Sequence, residues 1–469
     1  SCILASSSSR INLMALINPL FDRIQTLWNS AQTQAWTPLV SLSRTAVLSV
    51  FKTIHFGRLA IYEGDAEKPL AVYGHSEEQA AYPVALLRVH DEKFWLRLAL
   101  LADMGFAESY MLKEVSCPDL TEFFKIFILN RSQLSNGATI TSTLSSSFAG
   151  IARRSNSLKN ASLNVHAHYD ISNDMFAAFL SPDMTYSCPI WLPKSDPRSA
   201  TETLEDAQKR KLQRFIDNAH IKPTDHVLEI GTGWGSFAIH AAQQTGCTIT
   251  TTTLSLEQRA LAQQRIAAAG LAHKITVLLS DYRDLAVPAS GPYDKIVSIE
   301  MLEAVGAAYL PTYFGVVDRL LKRDGGVAVF QCITIPDARY AAYARSDDFI
   351  RRYIFPGGHL PAVSQLVAAI AAGSSGKLVV DAVENIGPHY AKALRLWRDA
   401  FLGGFEEVVR PALLRAHPDM GIGGVEVFRR KWEYYFAYSE AGFATRTLGD
   451  VVVTVAREGA GELMEGVPL

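Results

Sequence analysis

Three glycines at alternate positions, in Glu229-Ile230-Gly231-Thr232-Gly233-Trp234-Gly235, constrain the fold of this chain more than any other segment. The apolar run HVLEIG (226–231) leading into them is strand-like, and a helical pattern begins near residue 235. The glycines therefore sit on a strand-to-helix turn, where the missing side chain lets the backbone bend sharply and approach a ligand. Their spacing selects the ligand class. A dinucleotide turn requires GxGxxG, whereas Ser236 stands at the third glycine's place and the glycine falls one position early. That pattern favours S-adenosylmethionine over NAD. A purely structural tight turn is the competing reading, and the ends of the next two strands argue against it. TITTTTL (248–254) ends in Thr253-Leu254-Ser255 rather than in a lone acidic residue, and ITVLLS (275–280) runs into Asp281-Tyr282-Arg283, suited to an adenine edge and face.

Strand-like segments recur at 295–300 (KIVSIE), 327–334 (VAVFQCIT), 378–386 and 450–458, with helical patterns between them. Repeated βα units predict an α/β fold, Rossmann-like, with a mostly parallel seven-stranded sheet covered by helices. Its ligand belongs at the carboxyl ends of the strands. At 469 residues the chain exceeds one ordinary domain of about 150 residues. The expected division is a smaller N-terminal α+β unit at 1–130, a linker at 131–164 and the large domain at 165–469. In the first unit Leu13, Ile17, Leu20, Phe21, Ile24 and Trp28 form a helical stripe interrupted at Pro19, read as core-facing. An apolar helix is expected at about 119–129.

The linker assignment rests on composition. Residues 132–163 are crowded with Ser, Thr and Asn, and between Glu122 and Asp170 every formal charge is positive: Lys125, Arg131, Arg153, Arg154 and Lys159. Such a segment is either merely solvated or drawn to anionic headgroups. A net charge of −2 gives no reason to expect nucleic acid as a partner. Five cysteines with no CxxC pair suit a reducing, intracellular compartment, and no metal is expected. Asp22, Arg23, Arg44, Lys52 and Arg58 break the apolar N-terminal region, so no membrane-spanning helix is predicted.

HYDISNDMFAAFLSPDMTYSCPIW (168–191) is where a family resemblance becomes specific. With VLEIGTGWGS, LSLEQ, DYRDL, IVSIEMLEAVG, YFGVVDRLLK, FIRRYIFPGGHLP and RKWEYYFAYSEAGF following in order, the chain resembles the cyclopropane-fatty-acyl-phospholipid synthase and mycolic acid cyclopropane synthase family over about 165–458. Residues 82–130 are more weakly similar to the small, lipid-carrier-like N-terminal domain of the bacterial synthases. The resemblance implies a class I methyltransferase that moves a methyl group from S-adenosylmethionine to the double bond of an unsaturated phospholipid acyl chain. Ring closure then requires a base to remove a proton, and in the family that base is a bound bicarbonate.

Carried over residue by residue, Tyr186, Ser187, Glu229, Gly231, Gly233, Gly235, Thr253, Leu254, Gln258, Asp281 and Tyr282 are implied to surround S-adenosylmethionine. Cys188, Glu303, Ile335 and Tyr390 are implied to form the bicarbonate site, with Glu303 accepting from the anion's O–H and Tyr390 donating to its oxygen. The chain departs from the family at that site. Ile333 stands where the bacterial synthases carry a His, Ala304 replaces the His of EHVG, and Ser439 replaces a frequent Cys. Gln331 and His359 are the candidates to compensate. Relatives with an ITI-type segment look like enzymes that yield a methylene- or methyl-branched chain, in which the cation shifts a hydride. Cyclopropane formation is the first expectation, a branched product the second and a small-molecule methyltransferase the third. A cytoplasmic protein associated peripherally with membranes is implied, with homodimerisation left open.

Overall fold

The computed structural model describes residues 37–75, 82–134, 172–464 and 467–468. The stripe from Leu13 to Trp28, nearly all of the 131–164 linker and His168 to Ile171 of the family motif lie outside the described residues.

The N-terminal part runs α1 (Thr37–Phe51), β1 (Arg58–Glu63), β2 (Ala71–Gly74), β3 (Val84–Val89), α2 (Lys93–Met111), β4 (Val115–Ser116) and α3 (Leu120–Leu129). Its sheet has the order β2-β1-β3-β4, parallel between β1 and β3 and antiparallel elsewhere. Residues Leu59, Ile61, Leu87 and Val89 alternate along β1 and β3 and bury one face beneath the helices. Asn130 ends α3 and is completely buried. Its Oδ1 accepts from the amides of His55 and Phe56 (2.7 and 2.9 Å), and its Nδ2 donates to the carbonyls of Phe56 and Ile126 (2.7 and 2.8 Å), so the loop into β1 is pinned to the helix end.

The large part is built on α4 (Leu204–Ala219), β5 (His226–Ile230), α5 (Ser236–Thr245), β6 (Thr248–Thr253), α6 (Leu256–Ala268), β7 (Ile275–Leu279), β8 (Lys295–Ile299), α7 (Leu310–Leu320), β9 (Val327–Thr334), α8 (Val363–Ser374), β10 (Val379–Asn385), α9 (Tyr390–Gly403), α10 (Ile422–Ala444) and β11 (Gly449–Ala456). The seven strands lie in the order β10-β11-β9-β8-β5-β6-β7. Strands β5 to β9 are mutually parallel, and β11 runs antiparallel between β9 and β10. This is the expected mostly parallel sheet. Local chemistry explains the elements: β6 is a β-branched run, TITTTT, and every residue of β11, GDVVVTVA, is buried, as a strand covered on both faces demands. A reciprocal Thr203–Asp206 capping box starts α4. Connections leave β5 toward β6 and β7 on one side and β8 and β9 on the other, so the strand order reverses between β5 and β8. Their carboxyl ends open the crevice where α/β sheets of this kind bind ligands.

Helix α10 joins the two parts. Arg430 stacks its guanidinium over the Tyr110 ring, 3.9 Å from the centroid, and donates to the carbonyls of Tyr110 and Val115 (2.5 and 2.7 Å). Ten residues further along, Glu440 is buried and accepts from Thr121 Oγ1 on α3 (2.9 Å) and from Arg395 and Arg398 on α9 (2.8 and 3.0 Å). Among the described residues no helix is long and apolar enough to cross a membrane. Removing the Glu440 charge would leave Arg398, itself largely enclosed, with only the exposed Asp399 at 3.7 Å to balance it. Glu440→Gln is expected to lower the unfolding free energy by about 2–3 kcal/mol, toward the lower end of the cost of breaking a buried ion pair because Arg395 remains half-exposed. Urea denaturation followed by circular dichroism measures it, and a loss below ~0.5 kcal/mol would deny the junction this role.

Candidate active site

The glycine turn has the backbone the spacing predicts. Gly231, Gly233 and Gly235 have φ of 104°, 51° and 86°, all in the region that glycine alone enters readily. A Cβ on Gly231 would come within 3.4 Å of Met301, whereas one on Gly233 would meet nothing within 4 Å. Gly233 thus faces open space at the carboxyl end of β5. The turn is braced from outside by Trp234, whose Nε1 donates to Asn173 Oδ1 (2.8 Å), and by Arg265, which donates to the carbonyls of Trp234 and Asp183 (2.6 and 2.8 Å). These contacts tie the 173–191 segment to the turn.

Around this space the structure distributes the residues implied to hold the cofactor. Glu229 is buried near Thr251 and Lys211 with Oε2 unpartnered, and burial pushes its carboxyl up to about 8. Thr253 Oγ1 and Gln258 Oε1 are joined at 2.8 Å, and Leu254 beside them is 72% exposed. Asp281 is gripped by Arg283, which donates from Nε (2.9 Å) and Nη2 (2.6 Å), while the Tyr282 ring meets Tyr313 at 5.0 Å. Tyr186 shares a hydrogen bond with the Tyr435 hydroxyl (2.9 Å) and packs on Trp397 at 5.2 Å. Ser187 takes the ammonium of the wholly buried Lys211 (2.5 Å).

The second group lies at the ends of β8, β9 and β11, and its centre is Glu300, a residue the sequence reading passed over. Glu300 Oε1 accepts from the Cys188 amide (2.7 Å) and from Gln331 Nε2 (2.7 Å), and Oε2 accepts from the Tyr390 hydroxyl (2.8 Å). Gln331 Nε2 also donates to Asp450 Oδ2 (2.8 Å). Glu303 Oε1 accepts from the Ile333 amide (2.5 Å), and its Oε2 is buried with no partner, as are Gln331 Oε1 and Asp450 Oδ1. Burial raises the proton affinity of all three carboxyls; like-charge repulsion from Glu300 adds to the rise in Glu303 and Asp450, and that from Glu303 adds to the rise in Asp450. Glu303 is pushed up to about 8, and Asp450 is held well above the usual carboxylate range. Glu300 and Glu303 each keep part of their surface accessible, whereas Asp450 is completely buried. The Glu300 backbone is left-handed (φ 48°), a conformation that costs a non-glycine residue about 1–3 kcal/mol and collects at functional sites.

This geometry differs from the implied anion site. Tyr390 and the Cys188 amide donate to Glu300 rather than outward. The Cys188 thiol points at the carbonyls of Pro189 and Ile386 (3.4 and 3.6 Å), and the Ile335 amide donates to the Pro361 carbonyl (3.1 Å). Ile333 offers no side-chain donor. The His359 ring meets Tyr340 Oη (3.3 Å), and only its backbone reaches Glu303, donating to the carbonyl at 2.8 Å. The residues present do not fit a bicarbonate: its donors are engaged, and three carboxyls face the place. The signal for Glu300 was available in KIVSIE, an acidic residue at the carboxyl end of a strand that borders the ligand crevice. Asp450 and Lys211 come from elements 150 and 89 residues away from Glu300 and gave no local signal.

Comparison with known proteins places these features in a lineage. The family model described as mycolic acid cyclopropane synthetase matches residues 156–452. Tuberculostearic acid methyltransferase UfaA1 of Mycobacterium tuberculosis is 41% identical over 76% of this chain and 79% of its own length. The cyclopropane-fatty-acyl-phospholipid synthase of Escherichia coli K12 is 34% identical over 77% and 85%. The solved structure of mycolic acid cyclopropane synthase CmaA1 complexed with SAH and CTAB superposes with a TM-score of 0.52 at 28% identity, covering 62% of this chain and 97% of that one.

The open space beside Gly233 generates a separable prediction. Gly233→Ala adds a methyl group that meets no protein atom, at a φ that other residues tolerate for about 1 kcal/mol. Stability should change by no more than about that amount, while S-adenosylmethionine affinity measured by calorimetry should fall at least tenfold, about 1.4 kcal/mol. Unchanged affinity would move the cofactor away from this turn.

Proposed function

The chain belongs to the mycolic acid cyclopropane synthetase family, and from that premise we propose that it methylates the double bond of an unsaturated fatty acyl chain, using S-adenosylmethionine. The observation that carries this reading is the meeting of aromatic walls and buried carboxyls at the strand ends. Tyr186 is in ring contact with both Trp397 and Phe355, Tyr390 lies 5.8 Å from Trp397 and 4.6 Å from Phe443, and the Glu300–Glu303–Asp450 group adjoins them through the Tyr390 hydroxyl on Glu300. An isolated alkene is a weak nucleophile, and its methylation produces a carbocation. Aromatic faces and carboxylates in a water-excluded place stabilise that charge and keep water from capturing it.

S-adenosylmethionine supplies, when bound, the sulfonium methyl that the alkene attacks. The chain's own part is positioning. The glycine turn, Thr253 with Gln258, and Asp281 with Tyr282 would hold the cofactor at the carboxyl ends of β5, β6 and β7. Ring closure and methylene formation both require a proton to leave after methyl transfer. Two observations favour the methylene- or methyl-branched product over the cyclopropane first expected. Ile333 removes the histidine of the ring-forming synthases, and the relative at 41% identity is named for methyl transfer rather than for ring formation. Ring formation is the second reading, supported by the 34% identity to the Escherichia coli synthase. The acyl chain is proposed to be esterified in a membrane phospholipid, presented to a peripherally bound protein whose lipid-carrier-like N-terminal part is held rigidly by Arg430 and Glu440.

Expression in a bacterium without its own synthase, followed by fatty-acid analysis, tests the reading. Acyl chains heavier by one CH2 are expected, and the new product should take up hydrogen under gentle hydrogenation, as a methylene does and a cyclopropane does not. Chains with no added carbon would sink the proposal. Glu303→Gln is expected to lower kcat about 10²-fold while leaving S-adenosylmethionine affinity within about twofold, because the carboxyl has one buried oxygen without a partner and bonds to β9 rather than to the glycine turn. Unchanged turnover would remove Glu303 from the mechanism.

A further inference from the structure

Two residues that the family resemblance assigns to an external anion, Cys188 and Tyr390, converge on one carboxylate of this chain, through the Cys188 amide at 2.7 Å and the Tyr390 hydroxyl at 2.8 Å. Gln331 adds a third donor at 2.7 Å. A carboxylate and a bicarbonate share the planar pair of oxygens that such donors recognise. We propose that the Glu300 carboxylate is the resident base of this enzyme, standing in the bicarbonate's place and taking the proton released after methyl transfer. The inference rests on the acyl-methylation reading above.

The step balances without a co-reactant. Once the methyl is on the acyl chain, one of its C–H bonds breaks. The electron pair forms the C=C bond of a methylene after a hydride shift, or the third C–C bond of a ring without one. The proton goes to a Glu300 oxygen. Around that oxygen the charged groups are Lys211 from α4, Asp450 from β11 and Glu303 from the same turn. The weakly acidic neighbours are the phenols of Tyr186, Tyr390 and Tyr435 and the thiols of Cys188 and Cys332. Burial raises the proton affinity of both Glu300 and Asp450, and the donors on Glu300, the Cys188 amide and the Tyr390 hydroxyl, together with Lys211, act against that rise at Glu300. Glu300 also keeps part of its surface accessible, whereas its neighbour Asp450 is completely buried.

The left-handed backbone at Glu300 makes glycine the natural replacement, since it removes the carboxylate and relieves the strained φ. The full chain, Glu300→Gly and Glu300→Gln would be assayed with S-adenosylmethionine and dioleoylphosphatidylglycerol vesicles, in buffer purged of carbon dioxide and in the same buffer with millimolar bicarbonate. Binding of ¹³C-bicarbonate would be followed in parallel by NMR. The wild type should turn over equally in both buffers and bind no bicarbonate. Glu300→Gly should lose about 10²-fold or more of kcat in purged buffer, recover at least tenfold with bicarbonate, and bind the ion. Glu300→Gln should lose as much and not recover, because its amide fills the place. A wild type that needs or binds bicarbonate, or a Glu300→Gly enzyme with undiminished turnover, overturns the proposal. If the wild type methylates no acyl chain, the functional reading fails instead, and the binding measurements on wild type and Glu300→Gly still decide whether Glu300 occupies an anion's place.

Discussion

Three carboxyl groups, those of Glu300, Glu303 and Asp450, gather at the carboxyl edge of the sheet, and the buried Lys211, whose proton affinity burial lowers, lies close enough to Glu300 and Asp450 to interact with both. Two like charges about 4 Å apart repel by on the order of 4 kcal/mol at the effective dielectric of a protein. The group therefore cannot be fully ionised, and it holds protons at neutral pH. Its geometry is fixed by neutral donors: Gln331 places one amide nitrogen against both Glu300 and Asp450, and the Cys188 amide and Tyr390 hydroxyl complete the shell of Glu300. Four separate stretches of chain, around 188, 300, 331 and 390, must be in register for that shell to close, with Asp450 bringing in a fifth. The sheet provides this register because β8, β9 and β11 are adjacent in it.

The order of those strands explains why the site needs β11. An antiparallel strand between β9 and β10 brings Asp450, near its amino end, beside the carboxyl end of β9, where it pairs with Ile333 one residue from Cys332. A parallel strand in the same place would put its amino end at the opposite edge of the sheet. The valine run that follows Asp450 anchors the strand through apolar burial, and the cost of the buried acid is lessened because Gln331 meets one of its oxygens and burial favours its neutral form.

How much of this was legible in sequence depended on whether the information was local. The glycine turn, the seven strands and the ends of β6 and β7 are each written in a few consecutive residues, through periodicity and glycine's access to positive φ, and they were read in place. The partner choices of side chains were not. Tyr390 was expected to orient an external anion with Glu303, and instead donates to Glu300. Gln331, considered as a substitute for the absent histidine, bridges two carboxyls. Glu303 and Glu300 are three residues apart in one segment, and nothing in IVSIEMLEAVG says which of them Tyr390 reaches. That is decided by the left-handed turn at Glu300, which follows from how β8 leaves the sheet. Lys211 is less legible still: a lysine within the amphipathic pattern of α4 reads as a solvated residue, and only the packed structure shows it wholly buried against Ser187.

The same electrostatics bears on the cationic stages of the proposed reaction. A site that carries negative charge in its resting state, and holds it with protein donors, favours a transient cation nearby without waiting for a mobile anion to enter. Within the lining formed by Tyr186, Trp397 and Tyr390 the cation meets π faces on one side and ionisable oxygens on the other. A base fixed to the backbone has less freedom than a diffusing ion to follow the reacting carbon, so the position of the carboxylate relative to the cation would govern which of two products forms. If the added methyl is within its reach while the cation is still adjacent, the ring closes. If the cation first relaxes by a hydride shift, the same proton transfer leaves a methylene. On this argument Ile333 and Glu300 belong together: removing a histidine donor and installing a covalently tethered carboxylate alter one site in one direction, from an anion that is bound to one that is built in.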